Sequence, residues 1–301
     1  MEKNINVKDI VLSLPLTKDY IILEKIGNES DFSSKYKITT REGKYILKLI
    51  HSPINENVND LLNSCKLAHA EILLNGEWRG FSYALYEFIE GETLITAFDH
   101  LKESEVYSLA HKVGECLKIL KDNNPTKPEN RIELDQLQKS ITFKVNEFEL
   151  FTKLNYFSES DSKLLKEMKE WLVNNFELLN CENFYSLTDI NPGKFIYKQD
   201  SLVMVECETI LYTSLFNLLN CFFFENENNI EKHIAFVNGI LDGMTIEESK
   251  RQVVFYAFVY ASLRNITDRL KTGSKESVNA LLEKLKGVTL FNKSITELVT
   301  S

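Results

Sequence analysis

The feature that most constrains this chain is a change of hydrophobic period roughly a third of the way along it. Before that point the apolar residues fall in short runs and period-two alternations. After it they recur at the spacing of helices. Lys35, Tyr36, Lys37, Ile38 and Thr39 alternate polar and apolar, as do residues 44–50, and Arg41, Glu42 and Gly43 supply a tight turn between them. With the apolar run 20–23 and the turn cluster Gly27, Asn28, Glu29 and Ser30, these segments read as an antiparallel meander. A helix is expected over 56–70, with Leu61, Leu62, Cys65, Leu67 and Ala68 on one face. Strands follow at 71–74 and 83–89, ending at Glu90, Gly91 and Glu92.

The remainder is mostly helical. Ser104 is a good N-cap for a helix with the stripe Val106, Leu109, Ala110, Val113, Leu117 and Leu120. That helix ends over 118–124, and Pro125 and Pro128 mark a loop. Further helices are expected at 135–154, 160–179, 230–241, 247–270 and 275–285, with a β-like island at 189–205. The most apolar window, 211–224, is interrupted by Thr213, Ser214, Asn217 and Asn220. It is too short and too polar to cross a bilayer and is expected to be a buried core helix. There is no internal repeat, and the alternating βα units with a glycine-rich first turn that mark a Rossmann sheet are absent.

Composition narrows the function classes. Only 11 glycines and 5 prolines in 301 residues favour long regular elements over linker-rich, collagen-like or solenoid chains. A hydrophobic share of 44% is enough for a sizeable core. The net charge of −9 argues against nucleic acid as a partner, because phosphate binding rewards clustered Lys and Arg. The start, Met1, Glu2, Lys3 and Asn4, lacks the apolar stretch of a secretory signal. Cys65, Cys116, Cys181, Cys207 and Cys221 form no CxxC pair, and the five histidines show no metal-ligand spacing. The expectation is a cytoplasmic protein with reduced thiols and no membrane partner.

The residues able to carry chemistry cluster late in the sequence. Taken alone, Asp189, Ile190, Asn191, Pro192 and Gly193 read as a surface turn whose aspartate bonds its own backbone. A second short strand, 202–205, ends in Glu206, Cys207 and Glu208. Two strands joined by a turn at Lys198, Gln199 and Asp200 would bring Asp189 and Glu206 to one end of a hairpin. Carboxylates so placed can bind Mg²⁺, or one can orient a hydroxyl while the other holds the metal.

On these residues the chain resembles the aminoglycoside phosphotransferase and choline-kinase family. That family's catalytic loop reads H-G-D-L-x-P-G-N-I-L, and residues 186–196 align with it without a gap. The family's I-D-F/W-E strand end is similar to Val205, Glu206, Cys207 and Glu208. Lys48, within Tyr45, Ile46, Leu47, Lys48 and Leu49, falls where the family keeps its phosphate-contacting lysine. Residues 84–94 look like the hinge beside adenine, and Cys116 to Lys121 resemble a helix end that reads L-x-x-L-H. The resemblance spans residues 20–270. It implies an α+β, bilobal, protein-kinase-like fold: a small antiparallel-sheet N-lobe with one helix over residues 1–91, and a large helical C-lobe over 92–301 containing the catalytic-loop-like segment 186–208.

The resemblance also implies roles. Asp189 would be catalytic, Lys48 and Lys194 would contact phosphates, Glu87, Phe88 and Ile89 would line the adenine, and Glu206 would hold Mg²⁺, with ATP as phosphate donor. From the residues alone, Lys48 reads first as an ordinary strand lysine facing water. Its carboxylate partner on the following helix is open between Glu56 and Asp60. The loop at 27–33, in the place of a phosphate-covering turn, has one glycine and two acids. Four departures surround the site. Lys194 replaces the metal-binding Asn, and an ammonium has no lone pair for a metal. Glu206 replaces Asp. Leu187 and Thr188 replace His-Gly, and Leu211 to Ser214 replace G-D-P. Two functions follow: an atypical or impaired ATP-dependent phosphotransferase acting on a hydroxyl of a small molecule, cationic ones included, or a pseudokinase binding a nucleotide, metabolite or protein partner without turnover. Glu208, Glu225 and Glu227 read either as an acidic substrate lining or as solvated charges.

Overall fold

A computed structural model describes residues 6–30, 33–51, 53–54, 57–123, 134–152, 157–179, 183–187, 190–207, 210–215, 227–247, 251–273, 275–290 and 293–294. The chain divides into two compact units, Met1–Glu92 with Ile196–Ile210, and Thr93–Phe195 with Leu211–Ser301. The returning segment Ile196–Ile210, which the sequence reading left within the run of the helical lobe, thus groups with the first ninety residues.

The first unit opens with a helix the sequence reading did not anticipate, α1 (Val7–Ser13), whose Ile10 and Val11 are fully buried. The meander follows as β1 (Ile22–Ser30), β2 (Ser33–Thr39) and β3 (Lys44–Ile50). After α2 (Val58–Ser64) come β4 (Ile72–Trp78) and β5 (Phe81–Glu87). The sheet order is β1-β2-β3-β5-β4, antiparallel at every pairing. Ile10, Val11, Leu14, Ile38, Leu47, Leu49 and Leu85 form a core on one face of this sheet. Successive strand residues face opposite ways, so Lys48, between Leu47 and Leu49, is directed away from that core.

Three local expectations change. Gly27 to Ser30 are strand rather than turn: β1 runs on through them, with a register slip between Ile26 and Ser30. The helix read over 56–70 is cut to Val58–Ser64, and Lys66 takes a left-handed φ of 57°. The reason lies in the competing partner of the residues beyond it. Met204 N–H donates to the Ala68 carbonyl at 2.8 Å and Ala70 N–H to the Met204 carbonyl at 2.8 Å, so 68–70 pair with the returning segment. Finally, β4 and β5 are joined by Arg79 and Gly80, both at positive φ, a two-residue hairpin turn.

A short β6 (Glu92–Thr93) lies in a small sheet with β8 (Phe195–Lys198) and β9 (Ser201–Met204). The turn between β8 and β9 has Gln199 at φ 49° and Asp200 at φ 57°, the left-handed pair that matches strand twist in tight hairpins. This is the hairpin expected at Lys198, Gln199 and Asp200.

The second unit is built on helices. Thr93 caps α3 (Leu94–Ala97), its hydroxyl accepting from Thr96 N–H at 3.3 Å. Next come α4 (Glu103–Asn123), α5 (Leu134–Thr152) and α6 (Glu159–Asn174). α4 begins two residues earlier than a Ser104 cap would set it: the Glu105 carboxylate reaches back to Lys102 N–H at 2.7 Å. β7 (Asn183–Leu187) pairs with β10 (Ile210–Ser214). The start of the apolar window 211–224 is therefore strand, not core helix. An apolar run without clear period fits both, and here main-chain pairing with β7 decides. The chain continues through α7 (Ile230–Gly243), α8 (Gln252–Lys271) and α9 (Lys275–Gly287) to the two-residue strands β11 (Thr289–Leu290) and β12 (Lys293–Ser294).

α8 is buried on nearly every side, with Val253 through Val259 all inaccessible. Trp171 of α6 sits edge-on to Phe255 at 4.8 Å, and Tyr256 donates to the Leu172 carbonyl at 2.9 Å, so these aromatics belong to the core. α4 and α7 approach backbone to backbone through glycines. A Cβ on Gly114 would lie 2.2 Å from the Ile240 carbonyl oxygen, and one on Gly239 would lie 2.4 Å from that of Tyr107.

Candidate functional site

Within the first unit the charged residues meet at the end of β9. Met204 is its last residue, held by the paired main chain of Ala68 and Ala70. Beside it, Cys207 is buried with its thiol 3.6 Å from the Ala70 carbonyl oxygen. Between them Glu206 adopts φ 63°, which turns its side chain out of the strand's alternation. Its Oε2 accepts from Lys48 Nζ at 3.0 Å and its Oε1 accepts from Lys35 Nζ.

The pairing register explains why two lysines share one acid. Lys35 of β2 lies directly opposite Lys48 of β3, so both project from the same face of the sheet. Like charges directly opposite one another destabilise a strand pair. The shared carboxylate offsets that repulsion. It also makes the burial of Lys48, whose side chain is 7% exposed, tolerable. Burial would push the Glu206 carboxyl upward, but the ammonium groups of Lys48 and Lys35 outweigh it and lower the group to about 2.

The three residues expected beside adenine lie at the end of β5. Glu87 is the last residue of that strand, opposite Tyr45, and is exposed. Phe88 N–H extends the ladder by donating to the Lys44 carbonyl at 3.0 Å. The Phe88 ring carries the Lys37 ammonium at 4.7 Å from its centroid, a cation–π contact. Ile89 is half-buried. Glu90 pairs with Lys44 at 2.8 Å, which lowers its carboxyl, though an exposed pair of this kind contributes little stability.

In the second unit, Asp189 and Thr188 lie outside the described residues. The turn after them is as the sequence suggests. Pro192–Lys194 form a 3-10 turn closed by Lys194 N–H to the Asn191 carbonyl at 3.0 Å, with Pro192 buried and Lys194 half-buried. Phe195 anchors its end against Phe236, ring centroids 5.8 Å apart. Glu208, Glu225 and the side chain of Glu227 are also outside the described residues.

Among the described residues Lys48 pairs with Glu206, the acid that follows β9. Of the two candidates, Glu56 lies outside the described residues and Asp60 is exposed in the first turn of α2. Lys35 was missed altogether. Its signal was present, since counting back through β2 and forward through β3 from the turn at Gly43 sets Lys35 opposite Lys48. The described donors do not fit the Mg²⁺ that the resemblance attaches to Glu206. Both of its oxygens carry lysine ammonium groups, and among the described residues no three His, Cys, Asp or Glu side chains come together.

The mixed α+β architecture is the kinase-like fold of the aminoglycoside phosphotransferases. A thermostable mutant of aminoglycoside phosphotransferase APH(4)-Ia, in ternary complex with ADP and hygromycin B, matches with a TM-score of 0.57 at 12% identity, over 94% of this chain and 100% of that one. The gentamicin complex of APH(2″)-IIa matches with a TM-score of 0.52 at 15% identity, over 91% and 94%. Its streptomycin–ATP ternary complex matches with a TM-score of 0.51 at 15% identity, over 94% and 99%. No protein-family model matches the sequence, and no curated protein matches it. Among the described residues no helix is long and apolar enough to cross a membrane, and Cys65, Cys116 and Cys207 are not in disulfides.

Proposed function

We propose that the protein is an ATP-dependent phosphotransferase acting on a hydroxyl of a small molecule, with a cationic sugar or amine as the substrate class. The observation that carries this reading is the buried Lys48 on β3, tied to the carboxylate that follows β9, in a fold shared with enzymes solved with ADP, ATP and aminoglycosides. In this reading residues 1–91 form the nucleotide-binding lobe, with Glu87, Phe88 and Ile89 beside the adenine and Lys48 on the phosphates. Residues 92–301 hold the acceptor: Asp189 orients or deprotonates its hydroxyl and Lys194 neutralises phosphate charge. With both of its oxygens held by lysine ammonium groups, Glu206 is not assigned a Mg²⁺. A cytoplasmic location fits this nucleotide supply and the absence of disulfides at Cys65, Cys116 and Cys207.

The test is twofold. ATP should raise the melting temperature, because a ligand that binds only the folded state stabilises it. Asp189→Asn should then abolish phosphate transfer to an aminoglycoside panel while leaving the ATP-induced shift nearly intact. No shift with ATP overturns the nucleotide reading, and turnover surviving in the variant overturns the role of Asp189. A shift without any turnover in the wild type identifies the pseudokinase alternative.

A further inference from the structure

The second unit holds a cavity of about 530 Å³ between the start of α4, one face of α7 and the end of α9. Its α7 wall is Glu231, Ile234, Ala235, Asn238 and Asp242, which share one side of a helix with about 3.6 residues per turn. Phe236, which packs on Phe195 beside the turn Pro192–Lys194, lies on the other side. The cavity is therefore across α7 from the catalytic-loop-like turn.

Its polar groups are fixed by one another. Asp242 accepts from the Tyr107 hydroxyl at 2.6 Å through Oδ2 and from Arg251 Nη2 through Oδ1. Arg251 also donates from Nε and Nη2 to the Ile246 carbonyl, each at 3.4 Å. Burial would raise the Asp242 carboxyl, but the Tyr107 hydroxyl and the Arg251 guanidinium outweigh it and keep it low, so it stays an ionised acceptor. Glu231 pairs with Lys284 of α9 at 2.9 Å.

These contacts set the chemistry of an occupant. Asp242 and Glu231 each already face a cation, so a charged guest would compete with a pair formed inside the wall. Glu103 is exposed, where water screens its charge. A neutral hydroxyl disrupts neither pair: each Asp242 oxygen has a second lone pair, and a hydroxyl donates and accepts at once. Asn238 adds an amide with two donors and an acceptor. Ile234, Ala235 and Val288 supply apolar surface and Tyr107 an aromatic side chain. A few fixed polar groups beside apolar surface, in a cavity within the roughly 300–1,000 Å³ of small-molecule sites, suit a ring with apolar faces and a hydroxylated edge.

We propose that this cavity is a second, non-catalytic binding site for a neutral sugar ring, held by the Asp242 carboxylate and the Asn238 amide. Tyr107 and Arg251 are the positioning residues that aim the carboxylate. The site is independent of the nucleotide reading and stands or falls without it.

Saturation-transfer NMR of the full chain tests the proposal with glucose, galactose, maltose and lactose as neutral probes and putrescine as a cationic one. At least one sugar should receive transfer and titrate to saturation. Asn238→Leu, which exchanges the amide for an alkyl group of similar size, should weaken that sugar about tenfold or more. Tyr107→Phe removes only the hydroxyl that aims Asp242 and should weaken it about threefold, an effect that a purely structural hydroxyl would not have on a sugar titration. Melting curves check that both variants fold. In isotope-labelled wild type the Asn238 side-chain amide signal should shift with the sugar, which decides the matter even if a variant does not fold. Transfer to no sugar, or to putrescine alone, overturns the inference. So does sugar binding that leaves the Asn238 amide signal unmoved or is unchanged in folded Asn238→Leu.

Discussion

Glu206 ionises far below an ordinary glutamate because two ammonium groups hold its charged form, and that preference is itself a contribution to stability. Its carboxyl falls to about 2 in the folded chain, against about 4.3 when unfolded. The folded state therefore binds fewer protons between those values. The contribution is complete above the unfolded value and is lost as the pH falls from about 5 towards 2. Its size is on the order of 3 kcal/mol. Glu206→Gln should lower the denaturant midpoint at neutral pH and flatten the acid limb of the stability curve, measured by urea unfolding at pH 7 and at pH 3.5. An acid limb as steep in the variant as in the wild type would show that the pairing adds nothing. The position of Lys48 was legible in the sequence from the alternation of β3. Its partner was not, because Glu206 lies 158 residues further on and nothing in the local pattern of either segment points to the other.

At the scale of elements, periodicity carried the reading of α4, α8 and α9, whose apolar stripes are long enough to be unambiguous. It could not show how α4 and α7 meet. Gly114, Gly239 and Gly243 look like weak points in helices, but each is where the neighbouring backbone leaves no room for a methyl group. Gly239→Ala improves helix propensity by about 1 kcal/mol, yet its Cβ would meet the Tyr107 carbonyl oxygen at 2.4 Å and Ala110 Cβ at 2.8 Å. Backbone cannot step aside as a flexible side chain does. The net expected effect is a loss of roughly 1–3 kcal/mol, read by thermal or urea unfolding. Gly287→Ala, at a helical glycine with nothing within 4 Å, is the control and should be neutral or slightly stabilising. Strands were harder to bound than helices. α2 was overextended and the window at 211 misassigned for one reason: both segments are claimed by main-chain partners distant in sequence.

For the molecule as a whole, the order of a strand-rich part followed by a helical part was legible, and the return of the chain to its first unit was not. That return makes the first unit discontinuous, so cutting after Glu92 removes more than the helices. A fragment ending at Glu92 would leave Ala68 and Ala70 without their pairing to Met204, and Lys35 and Lys48 without Glu206. It is expected to lose cooperative unfolding, monitored by circular dichroism in urea. A chain joining residues 1–92 to 196–210 through a flexible linker should recover it. A fragment 1–92 that unfolds as sharply as the joined chain would show that the returning strands are dispensable.

The left-handed backbone at Glu206 has a corollary for anyone redesigning this position. Aspartate and asparagine enter that conformation more readily than glutamate does. The chain nonetheless carries the longer acid, so arm length outranks torsional ease there. Exchanging it for aspartate trades one for the other. A variant that relaxes the main chain while slackening its grip on both strands would separate two quantities that the wild-type residue fuses.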